Sequence, residues 1–147
     1  MIEVVGNLWE YPADVRVITT NGTIKKDGSC VMGRGCAAEA KERYPDLPFI
    51  LGQAIRADGN VAFWIPVGGE IIVTFPVKHQ WFEKADVVLI AQSANKIAAM
   101  KALANKVVVM PRPGCGNGRL DWLRDVKPIL EPILDDRFHV ITFEENK

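Results

Sequence analysis

Short β-branched apolar runs alternate along this chain with longer helix-forming stretches, and that alternation limits the folds open to it. Residues 15–19 (VRVIT), 71–75 (IIVTF) and 106–110 (KVVVM) are compact runs bounded by turn residues, the pattern of strands buried on both faces. HVITF at 139–143 reads as a last strand and residues 2–5 as the first, with 61–65 a weaker candidate. Residues 36–44 (CAAEAKERY) are strong helix formers, stopped by Pro45. Over 85–104, Val87, Ile90, Ala91, Ala94, Ile97 and Ala98 recur at spacings of three and four and predict one apolar helix face. Pro128 and Pro132 predict a kinked or broken helix over 120–134. No repeat, low-complexity tract or linker divides the sequence. The expectation is a single α/β domain over 1–147, a three-layer α/β/α sandwich on a mixed, mostly parallel central sheet.

Composition narrows the function classes. With 147 residues the chain fits one domain, and 48% hydrophobic residues supply a core that rules out disorder. Lys and Arg number 18 against 18 Asp and Glu, so coating nucleic acid or an acidic membrane is not the expected main task, although a local basic patch remains open. Cys30, Cys36 and Cys115 form no CxxC pair and match no histidine spacing, which argues against a disulfide framework and against a metal site. The start, MIEVVGNLWEYPAD, has neither a basic opening nor a long apolar core, so it does not read as a signal peptide. The longest apolar runs, such as 87–91 and 107–110, are far too short to span a bilayer. A reduced, cytoplasmic protein with no membrane association is expected.

The chemistry is expected in two glycine-rich loops. In KVVVMPRPGCGNGRL (106–120) a buried strand feeds a loop with Gly114, Gly116 and Gly118, and a helix is expected to follow. Backbone N–H groups in such a loop, with a helix N-terminus behind them, suit a diphosphate; the alternative is a mobile turn. In VMGRGCA (31–37), Gly33 and Gly35 again precede a helix and could cradle the other side of a phosphate. Arg34 either pairs with phosphate or points to solvent. Gly114 and Gly116 begin a GxGxxG-like pattern, but its third position is Arg119, and too little chain follows for a dinucleotide-binding dehydrogenase. No GK[ST] follows the glycines, so a Walker A loop is absent.

Taken together, GNLWEYPAD, TTNG, VMGRGCA, FPVKHQW and PRPGCGNGRLDW, in that order, resemble the macro domain, the ADP-ribose-binding module, along almost the whole chain. The likeness is greatest to the branch holding the terminal ADP-ribose glycohydrolases and the DNA ADP-ribosyl glycohydrolases of toxin–antitoxin pairs, including stand-alone bacterial and phage forms. The resemblance implies that Asn7 stands where the family uses an Asp to accept the adenine amino group, with Leu8 beside it. It implies that Met32, Gly33, Arg34 and Gly35, with Gly114, Cys115, Gly116, Asn117 and Gly118, line the diphosphate and distal ribose. Phe143 falls where an aromatic ring stacks on adenine, or it is a core or edge aromatic. Lys78 falls where the glycohydrolase branch attacks or activates the anomeric carbon, a role open to a partly desolvated lysine. Asn21 falls where an asparagine orients the distal ribose or a water, and Asn-Gly is equally a turn dipeptide.

One departure is plain. The terminal glycohydrolases carry an acid in the late loop where this chain has Gly118, whereas the DNA-directed relatives share the glycine. Cys36 and Cys115 read as small packing residues, and His79 should point away from Lys78 along an extended segment. The expected function is binding of ADP-ribose or a derivative, with hydrolysis of an ADP-ribosyl linkage or of ADP-ribose 1''-phosphate, without metal or cofactor. The alternative is a non-catalytic reader of ADP-ribose. The expected partners are ADP-ribose or an ADP-ribosylated nucleic acid or protein, and the expected state is a monomer.

Overall fold

The computed structural model describes residues 1–143. Its centre is a six-stranded sheet in the order β1-β6-β5-β2-β4-β3, where β1 is Ile2–Val5, β2 Val15–Asn21, β3 Trp64–Val67, β4 Glu70–Lys78, β5 Val108–Pro111 and β6 Phe138–Thr142. Every neighbouring pair is parallel except β3 with β4, so the sheet is mixed and mostly parallel. Strand alternation then sorts the side chains between two faces. Val15, Val17, Val73 and Phe75 pack toward α3 (Val87–Ala98) and α4 (Lys127–Leu130), with Ile90, Ala94, Ile97 and Leu130. Ile18 and Ile72 pack toward α1 (Gly35–Arg43) and α2 (Leu47–Asp58), with Ala37, Ala40, Leu47, Leu51 and Ile55. The three layers follow from these two apolar faces.

Several elements differ from the sequence expectation. The β4 strand runs through Pro76 to Lys78 instead of ending before the proline. Pro76 lies beyond Val73, the last β4 residue paired with β3, so its missing N–H costs no ladder bond on that side. The α2 helix was not expected; it begins with Pro48 in its first turn, a position that needs no N–H. The weak candidate strand at 61–65 appears as Trp64–Val67. The helical stretch 85–104 ends at Ala98 and is followed by a 3-10 turn, Lys101–Leu103. Residues 120–134 are broken as the prolines imply, into a π-helical turn, Trp122–Val126, and the single turn of α4. The late glycine loop therefore does not open directly onto an α-helix, and only the 31–35 loop does.

Candidate functional site

The parallel strands all point their C-terminal ends the same way, and the chain leaves neighbouring strands in opposite directions. After β2 it crosses to α1 and α2 on one face; after β5, its neighbour, it crosses to the π-helical turn and α4 on the other. An open α/β sheet forms its crevice at such a point. Here that crevice is a cavity of about 660 Å³, within the size range of small-molecule sites.

One end of the cavity is built by β1 and β6. The Gly6 N–H donates to Thr142 O at 2.9 Å, and the wall there includes Gly6, Leu8, Ile141, Thr142 and Phe143. Phe143 follows the last residue of β6 and is 49% exposed, so it is no core residue. Leu8 and Met32 are buried apolar wall residues. Asn7 is placed differently from its neighbours. Its Oδ1 accepts the Trp9 N–H at 2.8 Å, its carbonyl accepts the N–H groups of Glu10 and Tyr11, and it is absent from the described cavity wall.

The middle is walled by the two glycine loops. Gly33, Arg34 and Gly35 lead into α1, whose first turn has no side-chain cap, and Gly35 has the positive φ of 57° that favours glycine. Across the opening, the Asn117 side chain stands against Gly35, so that a Cβ at 35 would lie 3.4 Å from Asn117 Nδ2. A Cβ added at Gly33 would meet nothing within 4 Å, so no protein contact demands glycine there. Gly118 is the opposite case. A side chain at 118 would collide with the Gly114 carbonyl oxygen and come within 2.7 Å of its carbonyl carbon and Cα. The loop closes on itself too tightly for any residue with a Cβ.

The far end is formed by β2 and β4. Lys78, the last residue of β4, reaches back so that Nζ donates to the carbonyls of Trp81 and Asn117, both at 3.2 Å. Partial burial, followed by the nearby charges of Arg119 and Arg34, holds its ammonium below the ordinary lysine value of 10.5. Asn21 lines the same end, and its amide ties the end of β2 to the 31–35 loop and closes its own turn: Nδ2 donates to Val31 O at 3.0 Å and Oδ1 accepts the Thr23 N–H at 3.0 Å. His79 turns away from Lys78, as expected, and bonds Asp86 at 2.8 Å. Cys36 Sγ packs against the Thr19 N–H and Oγ1 at 3.4 Å, where burial pushes its thiol up. Burial likewise pushes the Cys115 thiol up to about 11. Neither is poised as a nucleophile.

No protein-family model matches the chain. The DNA ADP-ribosyl glycohydrolases of Mycobacterium bovis and Mycobacterium tuberculosis are each 31% identical to it over 100 residues, 63% of this chain. The match spans only 28% of those relatives' own length. Among solved structures, the macrodomain of Mycobacterium tuberculosis DarG superposes with a TM-score of 0.77 at 24% identity, covering 95% of each chain. The macrodomain of Thermus aquaticus DarG gives 0.75 at 25% identity, covering 97% of each. Thermosipho africanus DarTG in complex with ADP-ribose gives 0.79 at 18% identity, over 99% of this chain and 43% of that one. The chain has the macrodomain fold.

Within this fold, the cavity brings together the residues singled out from the sequence except Asn7 and Gly116, which are not on its described wall. Sequence reasoning did not single out Thr19, Thr20, Val77, Trp81 or Arg112, which also line the cavity. Arg112 follows β5, and its guanidinium lies 5.0 Å from the Trp122 ring centre and 3.8 Å from Glu3. Its PRPG setting marked a loop but carried no sign of which way the side chain turns.

Proposed function

We propose that this macrodomain, acting as a single monomeric unit, binds the ADP-ribosyl group in the cavity and hydrolyses the bond between its distal ribose and the group that carries it. The observation that carries this reading is the position of Lys78 at the β2–β4 end, with its amine held by the Trp81 and Asn117 carbonyls and its protonated form disfavoured. The cavity's volume of about 660 Å³ and the zoning of its wall suit such a ligand. Phe143 offers a ring for adenine at one end. The uncapped first turn of α1, with Gly33, Gly35, Gly114 and Gly118, offers backbone donors for the diphosphate, and Arg34 adds positive charge; Gly116, expected with them, is not on the described wall. With its oxygen occupied by Trp9, Asn7 supports adenine recognition through the turn it builds and leaves the contact to Gly6 and Leu8. Asn21 fixes the 31–35 loop and keeps a second amide hydrogen for the distal ribose or a water.

In the chemical step, neutral Lys78 Nζ forms a bond to the anomeric carbon as the bond to the leaving group breaks, and the amine's proton passes to that group. Water then hydrolyses the lysine–ribose bond and restores the amine. The curated relatives named DNA ADP-ribosyl glycohydrolase support a nucleic-acid substrate over ADP-ribose 1''-phosphate. The three thiols, all free, support work in the reducing cytoplasm. A second reading, a non-catalytic reader, is favoured by one observation. Glu39 is the one carboxylate on the described wall, and it already accepts from the Trp9 indole at 3.3 Å.

Calorimetric titration with ADP-ribose, against AMP and NAD, tests the site. Turnover of ADP-ribosylated oligonucleotide by Lys78→Ala tests the chemistry. The hydrolase reading expects at least about a hundredfold loss of turnover with ADP-ribose still bound. Tight binding with no turnover by the wild type establishes the reader.

A further inference from the structure

At the Lys78 end the cavity wall continues outward into a pair of aromatic side chains. Trp81 lines the cavity and is still 45% exposed, and Phe82, 64% exposed, meets it edge to face with ring centres 5.7 Å apart and planes at 89°. Apolar rings are costly to leave in water, so their presentation beside a polar site calls for an explanation. The segment that carries them is pinned. The Trp81 N–H donates to Thr23 Oγ1 at 3.0 Å, that hydroxyl donates to Gln80 Oε1 at 2.8 Å, and the Gln80 N–H donates to Glu83 Oε1 at 2.7 Å. The Trp81 carbonyl holds the Lys78 amine. The Trp81 main chain is therefore fixed beside the Lys78 amine, and its ring lines the cavity while staying open to solvent.

We propose that Trp81, braced by Phe82, is the stacking surface for the nucleobase that carries the ADP-ribosyl group, and that this ring gives the site its preference for base-linked over carboxylate-linked ADP-ribose. The inference rests on the reading of the cavity as an ADP-ribosyl site. Every nucleobase has a π face that an indole can cover, whereas the carboxylate ester of a protein side chain offers none. The charges fit the same occupant. Arg34 and Arg119 both act on Lys78, so positive charge gathers where the phosphates flanking a modified nucleotide would lie. Of the neighbouring acids, Asp86 bonds His79 and caps α3, and Glu83 accepts the Gln80 N–H, so both carboxylates are turned toward the protein's own donors.

The experiment compares the intact protein with Trp81→Ala and Trp81→Phe. Dissociation constants are measured for free ADP-ribose, for single-stranded DNA and RNA oligonucleotides bearing one base-linked ADP-ribosyl group, and for a glutamate-linked ADP-ribosyl peptide. In the wild type both oligonucleotides are expected to bind at least about tenfold more tightly than the peptide. Trp81→Ala is expected to remove that ratio and Trp81→Phe to restore most of it. Indole fluorescence quenched by the oligonucleotide is expected to lose its largest component in Trp81→Phe. An effect on the DNA arm alone would assign the base to DNA, and an effect on both would assign it to either nucleic acid. A Trp81→Ala variant that binds ADP-ribose and keeps the full oligonucleotide-to-peptide ratio overturns the stacking surface and leaves the cavity reading standing. Failure of the wild type to bind ADP-ribose overturns both.

Discussion

The Lys78 amine donates to the main-chain carbonyl of Asn117 at 3.2 Å, tying the end of β4 to a loop 39 residues further along the chain. The bond holds that amine between β4 and the late glycine loop, with Arg119 and Arg34 close enough to oppose its charge. An amine that attacks carbon must be neutral, so the rate should rise with pH and level off above the Lys78 pKa. The midpoint should lie below 10.5, because partial burial and both arginines disfavour the protonated form. Arg119→Gln removes one of those cations and should shift the midpoint upward. A pH–rate profile of kcat/KM for both proteins reads this directly, and an unmoved midpoint would detach the ionisation from Lys78.

A second charge cluster ties the first strand to the C-terminal half of the chain. Glu3 accepts the Trp122 indole N–H at 2.9 Å and Lys127 Nζ at 2.7 Å, and these partners hold its carboxyl below the ordinary 4.5. A depressed acid stabilises the fold above its unfolded pKa, and that contribution fades as pH falls through the folded value. Glu3→Gln should therefore lower stability at pH 7 and match the wild type once the pH is well below 4.5. The pair is part exposed, so the difference should stay under about 1 kcal/mol. Urea unfolding at several pH values measures it.

Gly33 separates a ligand's demand for glycine from the protein's own. Nothing lies within 4 Å of where its Cβ would be, so Gly33→Ala should change stability by no more than about 0.5 kcal/mol. If the loop cradles a diphosphate, the added methyl occupies the ligand's space, and ADP-ribose affinity should fall by about tenfold or more. Thermal unfolding and calorimetric titration on one preparation give both numbers. Unchanged affinity would move the diphosphate away from this loop.

The strands and both glycine loops could be read from the sequence because each is a local pattern, a β-branched run or a cluster of glycines after one. What escaped was set by distant contacts or by masked periodicity. The α2 helix does carry a signal, with Leu47, Leu51 and Ile55 four apart and all buried, but Pro48 and Gly52 within it read as breakers. Pro48 is tolerated in the first turn, and Gly52 packs against the main chain of Gly28. Pro76 suggested a strand end, yet its partner strand had already stopped at that level. For Asn7 the residue type suggested an acceptor for adenine; the sequence could not show that its oxygen already takes the Trp9 N–H. Trp81 was one tryptophan among four until the Thr23 hydroxyl placed it beside Lys78.

Gly118 decides whether the missing loop acid can be restored. Among the macro-domain resemblances noted from the sequence, one branch carries an acidic residue at this position, which suggests grafting Asp there to supply a general acid or base. The geometry predicts that the graft fails. Any Cβ at 118 collides with the Gly114 carbonyl, and the obstruction is backbone, which cannot swing aside as a long side chain can. Gly114 cannot yield either, because it is packed against Ile90, Leu120 and Ala85, and its carbonyl accepts the Leu120 N–H at 3.0 Å. Gly118→Ala should cost about 1–3 kcal/mol, the usual range for overpacking a tight site. Gly118→Asp should cost at least as much and add a carboxylate near the proposed diphosphate loop, so ADP-ribose affinity should fall and turnover should not rise. Unfolding of the two variants with turnover of ADP-ribosylated oligonucleotide checks both parts. A stable, faster Gly118→Asp protein would mean that the loop opens in solution and that its glycine is not held by its own backbone.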